Sequence, residues 1–582
     1  MPIDPITLEV VRNYLQRVSE EMEATVIRTA HSIAIYDSKD FVCGVLDSEP
    51  TLLSASLGTP IFPNALPYAV RTTYEIIGKE HLDPEDVIIC NDPYYGGGTH
   101  GNDMVALYPV FLDGKLIAFT GFKGHVLDIG GSKPSGYYNN TTEIYQELFR
   151  IPPVKLYRKG ELNEEVVRLI LINNRLPDEL MGDFRAMVAA LKTGGKRIRD
   201  LVSKYSYAKF VEYTQELLNQ SEKFARNKIS RLPEGRYEGE YFLDGDGDDN
   251  QPISRRLKVN MKVLIKDGEL TIDLSESSPQ SRGPMNSAKA NSISFAKFAY
   301  KSLVDSFSPV NDGTFRPLKV ILKNGTIFDP VSPAPVALWI ETAQGLIDLL
   351  FKVLSTAAPD KVRGSTFGSD VVNFIYGTDP RNKRFYVIVD TLQGGWGGNP
   401  DSDGATLYAT SEGNSTYPMT EMLEANYPLL VHRWELIQDS CGAGKFRGGL
   451  GVRRDYEMLS SAHITACYDR HLYSPPWGVL GGGEASTNYL VINSKRGTSE
   501  EHTKITDYPL DRGDVISFRT GGGGGYGNPL ERNTDDVLRD VLLGYISEVK
   551  ARQDYGIVID KNGTIVQEET RLLRESMRKK RS

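Results

Sequence analysis

Apolar and polar residues alternate with two different periods along the first 130 residues of the chain. Apolar side chains that recur every three or four positions predict an amphipathic helix over residues 6–31. The same pattern predicts a second helix over residues 66–77. Two short apolar runs, residues 41–46 and 86–90, are typical of buried strands. These elements indicate that the start of the chain mixes helices and strands.

A β-hairpin is predicted after the second of these strands. Apolar runs at residues 106–111 and 115–122 flank Asp113 and Gly114, and Asp-Gly between two such runs is a strong signal for a two-residue hairpin turn. A glycine-rich polar run, residues 91–100, precedes the hairpin. Because paired strands return to their starting edge, we expect the end of the hairpin to lie near this run.

The rest of the chain shows a helical part, a mixed part and a glycine-rich part. A mainly helical stretch is expected over 162–230, with breaks at Pro177 and at Gly194-Gly195. The mixed part comprises β-structure over 236–280 and helices near 285–306 and 341–357. Glycine-rich β-structure over 365–530 and a closing helix over 535–550 follow.

These elements predict an α+β fold, a mixed multi-sheet architecture with glycine-rich β regions and flanking helices in large interlocked domains. No Pro/Ser-rich linker separates the parts. The expected parts are an N-terminal α/β region, a mainly helical segment, an α+β middle region and a glycine-rich β region with its closing helix, over residues 1–160, 161–235, 236–360 and 361–582.

Composition narrows the class of protein. The 582 residues are 40% hydrophobic and 25% charged, as in globular proteins, and the formal net charge is −9. Nucleic-acid-binding proteins usually carry a basic excess, so we expect no nucleic-acid partner. No apolar run reaches the length of about 18 residues that a spanning helix needs, so we expect no membrane segment. Four cysteines without a CxxC pair, and a start unlike a secretory signal, favour a cytoplasmic protein.

Two of the eight histidines lie in the polar segments around the predicted hairpin. His100 and Asp103 have an HxxD spacing directly after the glycine-rich run, and His125 follows the second hairpin strand. Two imidazoles with one or two carboxylates are a common ligand set for Mn, Fe or Zn. Because the hairpin would bring His125 near His100, these residues predict a metal site. The alternative is that both histidines are hydrogen-bonded turn and core residues.

Signals for nucleotide binding and for nucleophilic catalysis are weak. The chain lacks GxxxxGK[ST], and it lacks a GxGxxG that follows a strand and opens a helix. Its glycine clusters therefore favour tight turns and close backbone packing over a phosphate site. A Gly-x-Ser-x-Gly elbow is also missing. Cys441, nine residues after His432, is expected to be an unreactive loop or core thiol.

Short motifs occur in a fixed order along nearly the whole chain. They comprise residues 4–10, 28–32, 40–41, 91–103, 128–131, 152–156, 174–175, 182–183, 283–286, 424–428, 442–451 and 522–527. On these motifs the chain resembles the hydantoinase B/oxoprolinase family, and within it the N-methylhydantoinase B-like and the lactamase or caprolactamase beta-type branches.

The resemblance implies an activity, a partner and a metal. Members act with a hydantoinase A-type subunit that binds ATP-Mg, and they open cyclic amides such as hydantoins, 5-oxoproline and larger lactams. It implies a divalent transition metal (Mn, Zn or Fe) held by Asp40, His100, Asp103 and His125. Water bound to this metal would attack a substrate that the partner subunit has phosphorylated. We expect a hetero-oligomer, a dimer of heterodimers.

Two further carboxylates lie next to the ligand motifs. Asp92 and Asp128 would each orient a ligand imidazole, and a turn role for either is an equal alternative. The chain departs from many family members at Val126, where they carry a second histidine, and at residues 58–63, where relatives often carry histidines. A less polar wall would suit a hydrocarbon-rich lactam of the caprolactam kind.

Two other functions stay open beside cyclic amide hydrolysis. A sister branch of the family comprises ATP-dependent acetone and acetophenone carboxylases, so a subunit of a ketone carboxylase is the alternative enzyme. The chain is shorter than the carboxylase counterpart, which favours amide hydrolysis. The third possibility is a non-catalytic scaffold subunit whose glycine-rich β region docks the partner.

Overall fold

The structure is a computed structural model that describes residues 3–134, 136–247, 256–414, 416 and 419–581. Its α-helices are α1 (Pro5–Thr29), α2 (Ile33–Tyr36), α3 (Leu66–Ile76), α4 (Glu164–Ile172), α5 (Pro177–Tyr205), α6 (Tyr207–Ile229), α7 (Lys289–Val304), α8 (Trp339–Ala343), α9 (Gly345–Val353), α10 (Thr420–Asn426), α11 (Thr534–Leu542), α12 (Glu548–Tyr555) and α13 (Gln567–Arg581).

The strands of the described residues occur in groups between these helices. They are β1 (Phe41–Asp47), β2 (Leu52–Ala55), β3 (Val87–Cys90), β4 (Asp103–Leu112), β5 (Lys115–His125), β6 (Val154–Arg158), β7 (Glu161–Leu162), β8 (Gly235–Leu243), β9 (Leu257–Lys266), β10 (Glu269–Asp273), β11 (Leu318–Ile321), β12 (Val372–Thr378), β13 (Phe385–Thr391), β14 (Leu429–Leu436), β15 (Val452–Met458), β16 (Ala462–Cys467), β17 (Tyr489–Asn493), β18 (Ser499–His502), β19 (Lys504–Leu510) and β20 (Val515–Arg519). The mixed α+β prediction is confirmed.

Two compact units divide the chain, and each draws on three separate stretches. The first unit comprises Met1–Arg236, Lys262–Ala343 and Glu412–Pro418, and the second comprises Tyr237–Met261, Gln344–Ser411 and Met419–Ser582. The division into four parts expected from the sequence stays a prediction.

A seven-stranded sheet forms the centre of the first unit. Its strand order is β2-β1-β5-β4-β3-β6-β7, and all neighbouring strands are antiparallel. Met104 and Ala106 of β4 belong to the apolar core that includes α1 and α5, whereas Val105 and Leu107 belong to the core that includes α3. Because successive side chains of a strand point to opposite faces, β4 is buried on both sides.

The predicted hairpin is confirmed and is longer than its apolar pattern indicated. Asp113 and Gly114 have φ values of 49° and 76°. Two positive φ values in a two-residue loop give the turn whose twist matches the flanking strands. Pairing continues from this turn to the far end of the hairpin, where Asp103 lies opposite His125.

Two predicted helix boundaries were wrong. The helix α5 continues through Gly194 and Gly195 because neighbouring elements pack closely against both glycines. A Cβ atom at Gly195 would lie 2.6 Å from Tyr108 Cε1 of β4. The closing helix expected over 535–550 is two helices, α11 and α12, and Gly544 with a φ of 73° lies in the turn between them.

A second sheet has the order β11-β10-β9-β8, with β10 parallel to β11 and antiparallel to β9. Further along, β13-β12-β16-β19 and β14-β15-β20-β17-β18 form two sheets with an apolar core that draws on both. None of the helices in the described residues is long and apolar enough to cross a membrane.

The glycine-rich runs of the second unit pack backbone against backbone. Gly523 donates its N–H to the carbonyl of Gly449 at 2.9 Å, and a Cβ atom at Gly448 would lie 1.7 Å from the carbonyl oxygen of Gly523. A side chain at either position would separate these segments. The interpretation of the glycines as close-packing residues is confirmed there.

A buried carboxylate, Glu147, holds the segment that leads into α8. Its two oxygens accept the N–H groups of Val336 at 2.9 Å and Ala337 at 3.1 Å, and the Thr141 hydroxyl donates to it at 2.6 Å. Burial raises the pKa of Glu147 to about 7, although these hydrogen bonds act in the opposite direction.

We expect Gly195→Val to lower the free energy of unfolding by about 1–3 kcal/mol, because the added side chain overpacks the contact between α5 and Tyr108. Thermal unfolding of the purified chain measures the effect. Lys196→Val, at an exposed position of the same helix, is the matched control. Equal stabilities of the two variants would contradict the close packing of this helix on the sheet.

Glu147 makes the stability depend on pH. The pKa of Glu147 is about 7 in the folded chain, whereas the ordinary value is 4.5. Between pH 4.5 and pH 7, the folded state therefore keeps a proton on Glu147 that the unfolded state has lost. The free energy of unfolding therefore falls by about 3 kcal/mol as the pH rises through this window. We expect the stability of the wild type relative to Glu147→Gln to drop by that amount from pH 4 to pH 8.

Denaturant unfolding of both proteins at the two pH values checks this expectation. Glu161→Gln, which changes an exposed glutamate of the same unit, should show the pH dependence of the wild type. If Glu147→Gln also keeps that dependence, Glu147 does not have the raised pKa.

Candidate metal centre

Three predicted ligands lie at the open end of the β4–β5 hairpin. Asp103 is the first residue of β4 and His125 is the last residue of β5, and the register places them opposite each other. His100 lies in the turn that precedes β4. The strand pairing and the HxxD spacing therefore bring two imidazoles and one carboxylate together.

The distances within this group suit the binding of one ion. His100 Nε2 lies 3.2 Å from Asp103 Oδ1, and His125 Nδ1 lies 3.5 Å from the same oxygen. One ligand atom from each of the three residues lies within 4.8 Å of the other two. All three residues are buried, with exposures of 1%, 1% and 4% in chain order. Among the described residues, this is the group that has such geometry.

The carboxylate of Asp103 is ionised although it is buried. Burial is the largest single influence and raises the pKa of Asp103, but His100, His125 and Lys123 together outweigh it and hold this pKa well below its ordinary value. Neither Asp103 oxygen accepts a hydrogen bond of good geometry from the described residues. A buried carboxylate without such bonds is expensive unless a cation compensates its charge.

Asp40 lies beside His100, Asp103 and His125, but its carboxylate is not part of their close cluster. Its carbonyl accepts the N–H of His125 at 3.0 Å, and its carboxylate accepts the hydroxyl of Thr59 at 2.8 Å. Burial raises the pKa of Asp40, and the charge of His125 opposes this shift. The carboxyl oxygens of Asp40 fall outside the set of atoms within 4.8 Å of one another. Asp40 as a fourth ligand stays a prediction.

The other two predicted carboxylates hold loops. Asp92 accepts the N–H of Tyr94 at 2.8 Å and the Nε–H of Arg150 at 2.7 Å. Asp128 accepts both the backbone N–H and an Nη1–H of Arg175, each at 2.8 Å. These contacts support the turn role that the sequence left open for each residue. A role in orienting an imidazole stays a prediction.

Sequence reasoning missed two residues next to the ligands. The ring of Trp339 stacks on His100 with a centroid distance of 5.7 Å. Lys123 is fully buried, its Nζ donates to the carbonyl of Gly97 at 2.8 Å, and burial lowers its pKa to about 8. Lys123 lies two residues before His125 on the same strand face, which was a readable signal. Nothing local in the sequence points from Trp339 to His100.

The two departures from family motifs fall in apolar surroundings. Val126 is buried in the core that includes α1 and α5. Ile61 and Phe62 of the segment 58–63 are buried too, and Lys123 Nζ lies 5.1 Å from the centre of the Phe62 ring. Phe62 therefore lies next to β5, the strand that ends in the candidate ligand His125, and the less polar wall stays a prediction.

Comparison with known proteins gives the same family as the motifs. The family model of hydantoinase B/oxoprolinase matches residues 4–529. The caprolactamase subunit beta of Pseudomonas jessenii is 32% identical over 579 residues, which cover 97% of each chain. The crystal structure of the ATP-dependent caprolactamase from Pseudomonas jessenii superposes with a TM-score of 0.92 at 31% identity, over 99% of this chain and 100% of that chain.

A more distant solved structure shares the fold. The nucleotide-free structure of acetone carboxylase superposes with a TM-score of 0.90 over 99% of this chain and 83% of that chain, at 18% identity. At this identity the likeness concerns the fold alone. The match of the family model over most of the sequence, together with the full-length caprolactamase relative, shows that this chain belongs to the hydantoinase B/oxoprolinase family.

Proposed function

We propose that the chain is the metal-binding subunit of an ATP-dependent enzyme that opens cyclic amides by hydrolysis, and that it works with an ATP-binding subunit of the hydantoinase A type. The observation that carries the proposal is the buried group of His100, Asp103 and His125. The caprolactamase relative supports the substrate class, since it resembles this chain over its full length.

The residues of the centre fit a divalent transition metal. Two imidazoles and one ionised carboxylate leave coordination positions open, as in metal sites that perform catalysis. Nitrogens of His100 and His125 lie 3.2 and 3.5 Å from one Asp103 oxygen, and a cation held among the three side chains would compensate the charge of this carboxylate. Imidazole and carboxylate ligands suit Mn, Zn or Fe, and Asp40 is the candidate fourth ligand.

The reaction requires help because an unstrained amide resists attack by water. When bound, a divalent ion would supply a Lewis acid and would lower the pKa of a coordinated water molecule to near neutrality. The chain itself holds the ligands rigidly at the end of a hairpin and keeps them in a buried site. Exclusion of bulk water strengthens electrostatic interactions there.

The partner would carry out the ATP-dependent step. This chain lacks a Walker-type phosphate loop, and its glycine-rich runs are occupied by backbone packing where the structure describes them. Phosphorylation of the amide oxygen by the partner would make the amide carbon a better electrophile. This chain would then hold the activated ring while water adds to that carbon. The C–N bond would break with a proton going to the ring nitrogen, and hydrolysis of the resulting acyl phosphate would release phosphate and the amino acid.

We expect the purified complex to contain about one divalent transition metal ion per chain of this subunit. His100→Ala and Asp103→Asn should each lose most of this metal and the ring-opening activity, because each removes one ligand group. Elemental analysis and an assay of lactam hydrolysis measure the two effects. His81→Ala, at an exposed histidine of the same unit, is the matched control and should keep both. Full turnover by a metal-free His100→Ala variant would overturn the proposal.

A bicarbonate test separates hydrolysis from the carboxylase alternative. With ATP and a cyclic amide, we expect the complex to form the ring-opened amino acid at the same rate with and without added bicarbonate. With ATP and acetone or acetophenone, we expect no incorporation of labelled bicarbonate. Labelled carboxylic acid from either ketone would favour the carboxylase, and activity that survives loss of the ligands and metal would favour the scaffold function.

A further inference from the structure

Trp339 covers one face of the candidate metal ligand His100. It is the first residue of α8 and is 3% exposed. Its ring lies at 22° to the His100 ring with a centroid distance of 5.7 Å, and Phe295 packs against it with a centroid distance of 5.8 Å. The ring of Tyr137 meets His100 edge-on at 4.8 Å. Aromatic carbon therefore borders the imidazole on more than one side.

The indole N–H of Trp339 is a buried donor without an acceptor among the described residues. A buried tryptophan N–H usually finds a hydrogen-bond partner, since leaving a buried polar group unpaired costs about 1–3 kcal/mol. Here the donor belongs to a ring that is in contact with a predicted metal ligand. This combination indicates a place for an acceptor oxygen of a bound molecule.

Hydrogen bonds of the preceding backbone segment, and not of the indole N–H, fix the position of Trp339. Glu147 holds the N–H groups of the two residues 336–337, and Asn286 Nδ2 donates to the carbonyl of Pro335 at 2.8 Å. Leu338, next to Trp339, donates its N–H to the carbonyl of Pro284 at 3.1 Å. Three separate anchors thus hold the segment that presents the ring to His100.

We propose that Trp339 is a substrate-positioning residue whose ring forms an apolar wall beside His100 and whose N–H donates to the amide oxygen of the cyclic substrate. This inference rests on the proposed function, since it assigns the bound molecule to the class of cyclic amides. Such a molecule has a hydrocarbon face that suits the aromatic wall and one strong acceptor oxygen. The donor would favour ring amides over cyclic hydrocarbons or cyclic amines of equal size.

The test compares Trp339→Phe with the wild type in the complex with the ATP-binding subunit. Phenylalanine keeps an aromatic wall and removes the donor, so we expect the KM for caprolactam to rise about tenfold while the metal content per chain stays unchanged. Trp477→Phe is the matched control. Trp477 is also buried, and its indole N–H likewise lacks an acceptor among the described residues.

A binding measurement makes the result independent of turnover. Caprolactam, hydantoin and 5-oxoproline are titrated without ATP while the heat of binding is recorded by calorimetry. We expect saturable binding at the same concentration in the wild type and in Trp477→Phe, and at an about tenfold higher concentration in Trp339→Phe. An unchanged dissociation constant in Trp339→Phe, or an unchanged KM in that variant, would overturn the inference. Loss of metal in Trp339→Phe would also overturn it, because the residue would then support the metal site.

Failure of the proposed function gives a different result. In that case the wild type would carry no metal, or His100→Ala would keep the metal and the activity. The binding titration still decides the role of Trp339, since the absence of saturable binding of all three cyclic amides to the wild type would overturn it.

Discussion

The ionised carboxylate of Asp103, buried at the start of a central strand, is the constraint on which the first unit depends. β4 lies between β3 and β5, and apolar cores cover both of its faces. Water is therefore excluded, and compensation of the charge falls to the imidazoles of His100 and His125. The surrounding structure holds these imidazole nitrogens 3.2 and 3.5 Å from one Asp103 oxygen.

The register of the β4–β5 pair sets the distance between Asp103 and His125. A slip of one residue would turn His125 to the opposite face of the sheet, away from Asp103. The two positive φ values at Asp113 and Gly114 fix the turn, and burial of both sheet faces penalises any other register. Loops beyond the strands lack this protection, and partly buried ion pairs such as Asp128 with Arg175 hold them instead.

The second unit uses glycine for a different physical purpose. Its glycine-rich segments approach so closely that a Cβ atom at Gly448 or Gly523 would collide with a neighbouring carbonyl oxygen. A phosphate-binding loop needs its backbone N–H groups directed at a ligand, whereas Gly523 donates its N–H to Gly449. In the described residues of the second unit, these glycine-rich runs therefore serve close packing.

The sequence by itself determined the features that depend on neighbours in the chain. The periodic apolar residues of α1 and α3, the Asp-Gly turn and the HxxD spacing all act over a few residues, so the pattern predicted them. Asp40 entered only through family resemblance, and the packing that lets α5 pass Gly194 and Gly195 involves α1 and β4. Only the tertiary structure brought Trp339 onto His100 and Glu147 onto residues 336–337. Contacts across more than 180 residues leave no local pattern, because they depend on how distant segments pack.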